Sequence, residues 1–166
     1  MKTLVAFYSS SGTTRKVGLA IAAALNADVE DIQEVNPRRI DIRSRMSPGQ
    51  LWKVMRGGGE AGLGRVAGIV PSQYNPADYD LVVVGTPIWN SGLTPPARAY
   101  LVRHMGQFKS VAFFCTSSAP TPRQRWRDQM EKVCGRAPRA SASFQMDQVD
   151  AGTVDVQVKE FVARLT

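Results

Sequence analysis

The sequence has little of what metal sites, disulfide scaffolds and membrane proteins need. Its 166 residues hold two cysteines, Cys115 and Cys134, and one histidine, His104. That excludes a cysteine-rich framework and the usual zinc ligand patterns. Both thiols are expected to be reduced, which makes the cytoplasm the default compartment. No apolar run approaches the ~18–20 residues of a membrane span. The first one, Leu4 to Tyr8, is shorter than the roughly 7–15 residues of a signal-peptide core. The P-loop ending in Gly-Lys-Ser/Thr and the dinucleotide pattern Gly-x-Gly-x-x-Gly are both absent. Carboxylates are scarce, with 14 Asp and Glu against 21 Lys and Arg, a net charge of +7. None occurs from Leu81 to Arg127, a stretch of 47 residues that holds Arg98, Arg103, Lys109, Arg123, Arg125 and Arg127. Such a balance calls for an anionic ligand or partner. Arg38, Arg39, Arg43 and Arg45 form another basic patch, but it lacks aromatic interleaving and any nucleic-acid motif, so no nucleic-acid partner is expected.

What is present is an alternation of apolar runs and helical patterns, consistent with a single domain over 1–166. Leu4 to Tyr8, Leu81 to Val84 and Val111 to Cys115 are continuous apolar runs, the mark of strands buried on both faces. Val29 to Val35 and Ala140 to Met146 read as two weaker strands. Helical spacing is seen in Val17, Ala20, Ile21, Ala24 and Leu25, then in Ala97, Tyr100, Leu101 and Met105. It recurs in Trp126, Met130, Val133 and Cys134, and in Val154, Val158, Phe161, Val162 and Leu165. Thr94 is the expected cap of the helix opened by Pro95-Pro96. The glycine-rich segment 38–75 reads as a broken helix plus loop. Five strands with intervening helices predict an α/β fold, a doubly wound five-stranded parallel sheet with helices on both faces. Ligands bind beyond the carboxyl ends of such strands, which singles out loops 9–14, 85–93 and 116–121.

The first of these loops, Ser9-Ser10-Ser11-Gly12-Thr13-Thr14, opens a helix. A helix N-terminus offers unpaired N–H groups and partial positive charge to a phosphate, and hydroxyls add donors. The same residues also suit an ordinary capped turn. Together with Asp80 to Pro96 and with Phe113-Phe114-Cys115-Thr116-Ser117-Ser118, the loop resembles the flavodoxin superfamily, whose phosphate loop reads [ST]-x-[ST]-G-x-T. Three motifs stand in register over essentially the whole chain, which is similar to the short type of that superfamily.

The resemblance implies the strand order 2-1-3-4-5 with FMN at the switch point. Ser9, Ser10, Ser11, Gly12, Thr13 and Thr14 would hold its phosphate. Pro87, Ile88, Trp89, Asn90 and Ser91 would line the isoalloxazine, with Trp89 either stacking on the ring or sitting in the core. Thr116, Ser117 and Ser118 would bound the other side, where carriers of the family commonly place an aromatic residue and this loop has none. Such carriers are strongly acidic. This chain is not, so its flavin is expected to be a milder reductant.

The implied function is redox chemistry by electron or hydride transfer through noncovalent FMN. One version is an NAD(P)H-dependent reductase of a quinone-like acceptor, with Arg123, Arg125 and Arg127 as a candidate contact for the nicotinamide cofactor. The alternative is a carrier module reduced by a separate reductase, its partner being a redox protein. Whether the chain forms homo-oligomers is left open. A non-redox regulatory module, such as a receiver domain, needs acids at the ends of the first and third strands, where Ser9-Ser10 and Gly85-Thr86 stand. Cys115 and Cys134 read as buried structural thiols, and His104 as a helix-end residue near the negative dipole end. No catalytic acid or base and no metal ligand is assigned.

Overall fold

The computed structural model describes residues 1–36, 67–89, 92–119 and 124–166. The predicted helix within 38–75 falls largely outside them, as do Asn90, Ser91 and Arg123. The elements are β1 (Thr3–Phe7), α1 (Thr13–Leu25), β2 (Asp28–Asp31), β3 (Leu81–Trp89), β4 (Gly92–Leu93) and α2 (Pro95–Arg103). They continue with β5 (Val111–Ser117), α3 (Arg125–Cys134), β6 (Ser141–Gln145), α4 (Met146–Asp150) and α5 (Asp155–Ala163). Five strands pair in parallel in the order β2-β1-β3-β5-β6. With the antiparallel β4 set aside, this is the expected 2-1-3-4-5 order.

Alternating side chains of the central strands feed two cores. Leu4 and Ala6 of β1, with Val82, Val84 and Phe113, pack under Tyr100 and Leu101 of α2 and Trp126 and Met130 of α3. Val5, Phe7, Val83 and Phe114 pack under Val17 and Ile21 of α1 and Phe161 of α5. Being covered on both sides, β1 and β5 are buried throughout and largely apolar, while the edge strands β2 and β6 are not. Gly85 sits at the centre of the second core for a steric reason. A Cβ there would lie 2.0 Å from the Phe114 ring.

Two expectations about loops need correction. The segment 85–93 was expected to be a loop, yet β3 continues to Trp89 and folds back on β4, with Ile88 opposite Leu93 and Trp89 opposite Gly92. The 116–121 loop likewise starts later, because β5 runs through Ser117, with Thr116 paired to Pro87 and to Phe144. The β5 partners of Gly85 to Pro87, and the β6 partners of Thr116 and Ser117, outweigh the local turn preference of Gly85, Pro87 and the hydroxyl residues. Thr94 precedes α2 as expected but makes no side-chain cap. Its hydroxyl pairs with that of Thr86 at 2.8 Å instead. The short helix α4 lies between β6 and α5. Among the described residues no helix is long and apolar enough to cross a membrane.

Candidate functional site

The first loop leaves β1 at Tyr8, whose N–H donates to Gly85 O at 3.1 Å. Gly12 then turns with φ 93°, a conformation that favours glycine, and delivers the chain into α1. Ser9 braces the turn, its Oγ accepting from Gly12 N at 3.1 Å and Arg15 N at 3.2 Å. Its hydroxyl hydrogen is left to donate elsewhere. Ser11 and Thr13 share a hydroxyl contact of 3.4 Å. The backbone N–H groups of Thr13 and Thr14 open the helix without a protein acceptor among the described residues, and no acid occupies the first turn. Carboxylates are ordinarily favoured at that position. Their absence leaves the N-terminal donors and partial charge to an anion from outside.

Thr14 joins this loop to the rest of the site. It is buried, and its hydroxyl meets that of Thr116 at 2.7 Å across 102 residues of sequence. The ends of β1–α1 and β5 are thereby fastened together. Thr116 and Ser117 are buried, Ser117 Oγ accepts from Ala119 N at 3.1 Å, and Ser118 is exposed. From β3, Pro87 and Ile88 are half-buried at the rim. Trp89 is only 7% exposed and meets Tyr8 edge-on, with ring centroids 6.0 Å apart. The structure thus brings Ser9 to Thr14, Pro87 to Trp89 and Thr116 to Ser118 to one end of the sheet.

Three residues at this end had no signal of their own in the sequence. Tyr8 donates its hydroxyl to the buried carboxylate of Glu34 at 3.1 Å. Gln129 Oε1 of α3 accepts from Leu93 N at 2.8 Å, holding the β3–β4 turn. A tyrosine ending a buried strand and a glutamate in a weak edge strand are the only hints that could have found the first pair.

Charge is distributed unevenly around the end. Arg15 of α1 pairs with Asp31, and Lys16 with Asp150 at 3.3 Å. Burial nonetheless pushes the Asp31 carboxyl above its ordinary range, with Arg15 opposing it. Arg98 of α2 has no acidic partner among the described residues, and its Nε is buried without a hydrogen bond. Cys115 and Cys134 are both buried and free, and burial pushes both thiols up, Cys115 far beyond neutral pH. Neither is a thiolate nucleophile. Among the described residues no cluster of His, Cys, Asp and Glu could hold a metal.

A family model described as Flavodoxin matches residues 2–139. A flavoprotein in complex with FMN from Lactobacillus acidophilus NCFM is 20% identical, with a TM-score of 0.69 over 90% of this chain and 97% of that one. An NADH:FMN oxidoreductase in apo form is 15% identical, with a TM-score of 0.57 over 99% and 89%. Oxidised flavodoxin 1 from Bacillus cereus is 17% identical, with a TM-score of 0.55 over 99% and 96%. At these identities the solved structures speak to the fold. Among curated protein sequences there is no significant match.

Proposed function

The chain belongs to the flavodoxin family, and from that premise we propose that it binds FMN noncovalently at the carboxyl ends of β1, β3 and β5 and passes electrons through it. The observation that carries the reading is the first loop. Gly12 in the left-handed region, acceptor-free N–H groups at Thr13 and Thr14, an acid-free first turn and the hydroxyls of Ser9, Ser10 and Ser11 together suit a phosphate monoester. An L-residue Cβ at Gly12 would meet nothing within 4 Å, so the space beside the loop is open to a ligand.

In this reading Ser9 to Thr14 hold the phosphate. Pro87 and Ile88 offer apolar surface to the ring, with Trp89, Asn90 and Ser91 completing that side. Thr116, Ser117 and Ser118 bound the other. FMN, when bound, supplies the electron or hydride chemistry, and the chain supplies binding, orientation and electrostatics. The Thr14–Thr116 contact fixes the distance between phosphate loop and ring loop. With no carboxylate from Leu81 to Arg127, the protein does little to repel negative charge on reduced flavin. Its reduction potential is expected to lie above that of acidic carriers, and a redox titration reads it directly.

The electrons come from a redox partner. A second reading, favoured by the same scarcity of acids, has NAD(P)H reduce the flavin and a quinone-like molecule accept the electrons. Purified protein titrated with FMN, followed by absorbance and flavin fluorescence, tests the binding. Saturable quenching at one FMN per chain is expected, and no binding sinks the reading. Stopped-flow mixing with NADH and NADPH separates the two versions, since rapid bleaching supports the reductase and inertness supports the carrier module.

A further inference from the structure

We propose that the groove between α2 and α3 is the docking surface for an acidic redox protein, an inference that rests on the FMN reading above. The two helices pack side by side on one face of the sheet. Gln129 reaches from α3 to Leu93 of β4, two residues before α2, so that flank of α3 faces the start of α2. Arg125 and Lys132 lie four residues before and three after Gln129, on the same stripe. Arg136 follows just past the helix end, beyond the left-handed Gly135. On α2, Arg103 turns toward the β2 side, donating to Ile69 O at 3.1 Å and Val70 O at 3.0 Å. Arg98 is five residues away, about 140° round the helix, and so lies on the opposite flank. Val102, 49% exposed, follows it four residues on, and Met105, 61% exposed, lies in the turn just past the end of α2.

The groove therefore presents two stripes. One is Arg98, Val102 and Met105; the other is Arg125, Gln129, Lys132 and Arg136. None of these four cations has an ion-pair partner among the described residues. Of the acids of α3, Glu131 stands off the stripe, and Asp128, at the stripe's edge beside Arg125 and Lys132, pairs with Arg127 at 3.4 Å. On α2 there is no acid at all. Two exposed apolar side chains ringed by unpaired cations match a protein face with carboxylates around an apolar centre. On α3 alone Arg125 and Lys132 stand roughly 10 Å apart along the axis, seven residues at 1.5 Å each, so the cations do not converge on one point. A small anion would use such a spread poorly. At its upper end the groove reaches Leu93 of β4, which pairs with Ile88, so a partner seated there is beside the proposed ring loops.

The probe is a chemically reduced, acidic [2Fe–2S] ferredoxin, mixed with the FMN-loaded protein in a stopped-flow instrument. Its association with the protein is also followed by calorimetry. Flavin reduction is expected to slow about tenfold or more as salt rises from about 0.05 to about 0.5 M. Arg98→Glu with Lys132→Glu should lower the low-salt rate by about tenfold. FMN affinity and reduction by dithionite should stay unchanged. Lys132→Glu alone, at an exposed site, guards against a folding defect and should show part of the loss. A salt-independent rate, or the wild-type rate in the double variant, overturns the proposal. So does salt-sensitive self-association, or binding to anionic vesicles, that the same substitutions abolish, because either names a different occupant. Failure of the FMN reading is distinct: the unmodified protein would not bind FMN, and calorimetry would still report whether ferredoxin docks through Arg98 and Lys132.

Discussion

The α1 side and the α2–α3 side of the candidate site share a foundation and differ in charge balance. On the α1 side each first-turn cation has an acid: Arg15 has Asp31 and Lys16 has Asp150. On the α2–α3 side Arg98, Arg125 and Lys132 have none among the described residues. An ion pair at the protein's own surface neutralises its field within a few ångströms, whereas unpaired cations leave theirs to act on whatever approaches. The first side is thus complete except for the anion its helix terminus lacks. The second leaves its cations for the anionic partner proposed above. In the proposed reading one chain separates a place for a small phosphate from a place for a larger anionic surface.

The largest test removes the foundation common to both. Gly85→Ala puts a Cβ 2.0 Å from the Phe114 ring in the middle of the sheet. A cost of about 3 kcal/mol is expected, at the upper end for overpacking. Urea unfolding reads it, and Phe114→Leu in the same chain should recover part of the loss. If Gly85→Ala is neutral, the packing that aligns the two sides is looser than described. Next comes the link between them. Thr14→Val leaves the Thr116 hydroxyl buried without its partner, for a loss of about 2 kcal/mol. The double variant with Thr116→Val should be closer to the unmodified protein, since neither polar group is then stranded. FMN affinity should fall in the single variant through the displaced loop. Equal stability in single and double variants would show that the two sides are not coupled there.

The parallel sheet was legible in the sequence because its central strands are buried on both faces and therefore read as unbroken apolar runs. Its order came from the resemblance, not from periodicity. What was illegible is pairing. Nothing local says that Gly85, Thr86 and Pro87 stay in strand, because the reason is their neighbours Phe114, Cys115 and Thr116. Two residues of β4 are too few to make a pattern. Thr14 and Thr116 were each singled out for the ligand, yet their contact across 102 residues is a tertiary fact. The charge contrast was half visible. The acid-free stretch from Leu81 to Arg127 lies on the page of the sequence, while the balancing of Arg15 and Lys16 needs β2 and α4 folded against α1.

A smaller effect comes from the far end of α2. His104 stacks near Tyr100, with centroids 4.7 Å apart, and lines an open cavity of about 600 Å³. Its Nδ1 lies 2.8 Å from Gln107 Oε1 and its Nε2 2.9 Å from Ser72 Oγ. The neutral tautomer that donates to Gln107 and accepts from Ser72 satisfies both. Burial pushes the imidazole below its ordinary 6.5, Arg103 adds to the shift, and Gln107 and Glu30 oppose it. A depressed folded pKa means that the stability is present above the unfolded value and is lost as pH falls through the folded one. The urea midpoint should therefore decline from about pH 8 to about pH 5.5, and His104→Asn should flatten that slope. A slope unchanged by the substitution would assign it to carboxylates instead.

The smallest effects bear on the contrast itself. Arg15 and Asp31 are 56% and 22% exposed in their side chains, so their pair is worth well under about 1 kcal/mol. Arg15→Ala should lower the unfolding midpoint slightly, and less so in high salt. Arg98→Met should do the opposite or nothing. It removes an Nε that is buried without a hydrogen bond and a guanidinium whose charge burial disfavours, and it strands no partner. The methionine keeps most of the apolar stem in place. If Arg98→Met destabilises the protein more than Arg15→Ala, Arg98 is holding the fold. Its docking role stands if Arg98→Met leaves the midpoint unchanged or raised while slowing reduction by the acidic ferredoxin. A cation with no use within its own chain, and a measurable one toward an anionic protein, is what separates a docking residue from a structural one.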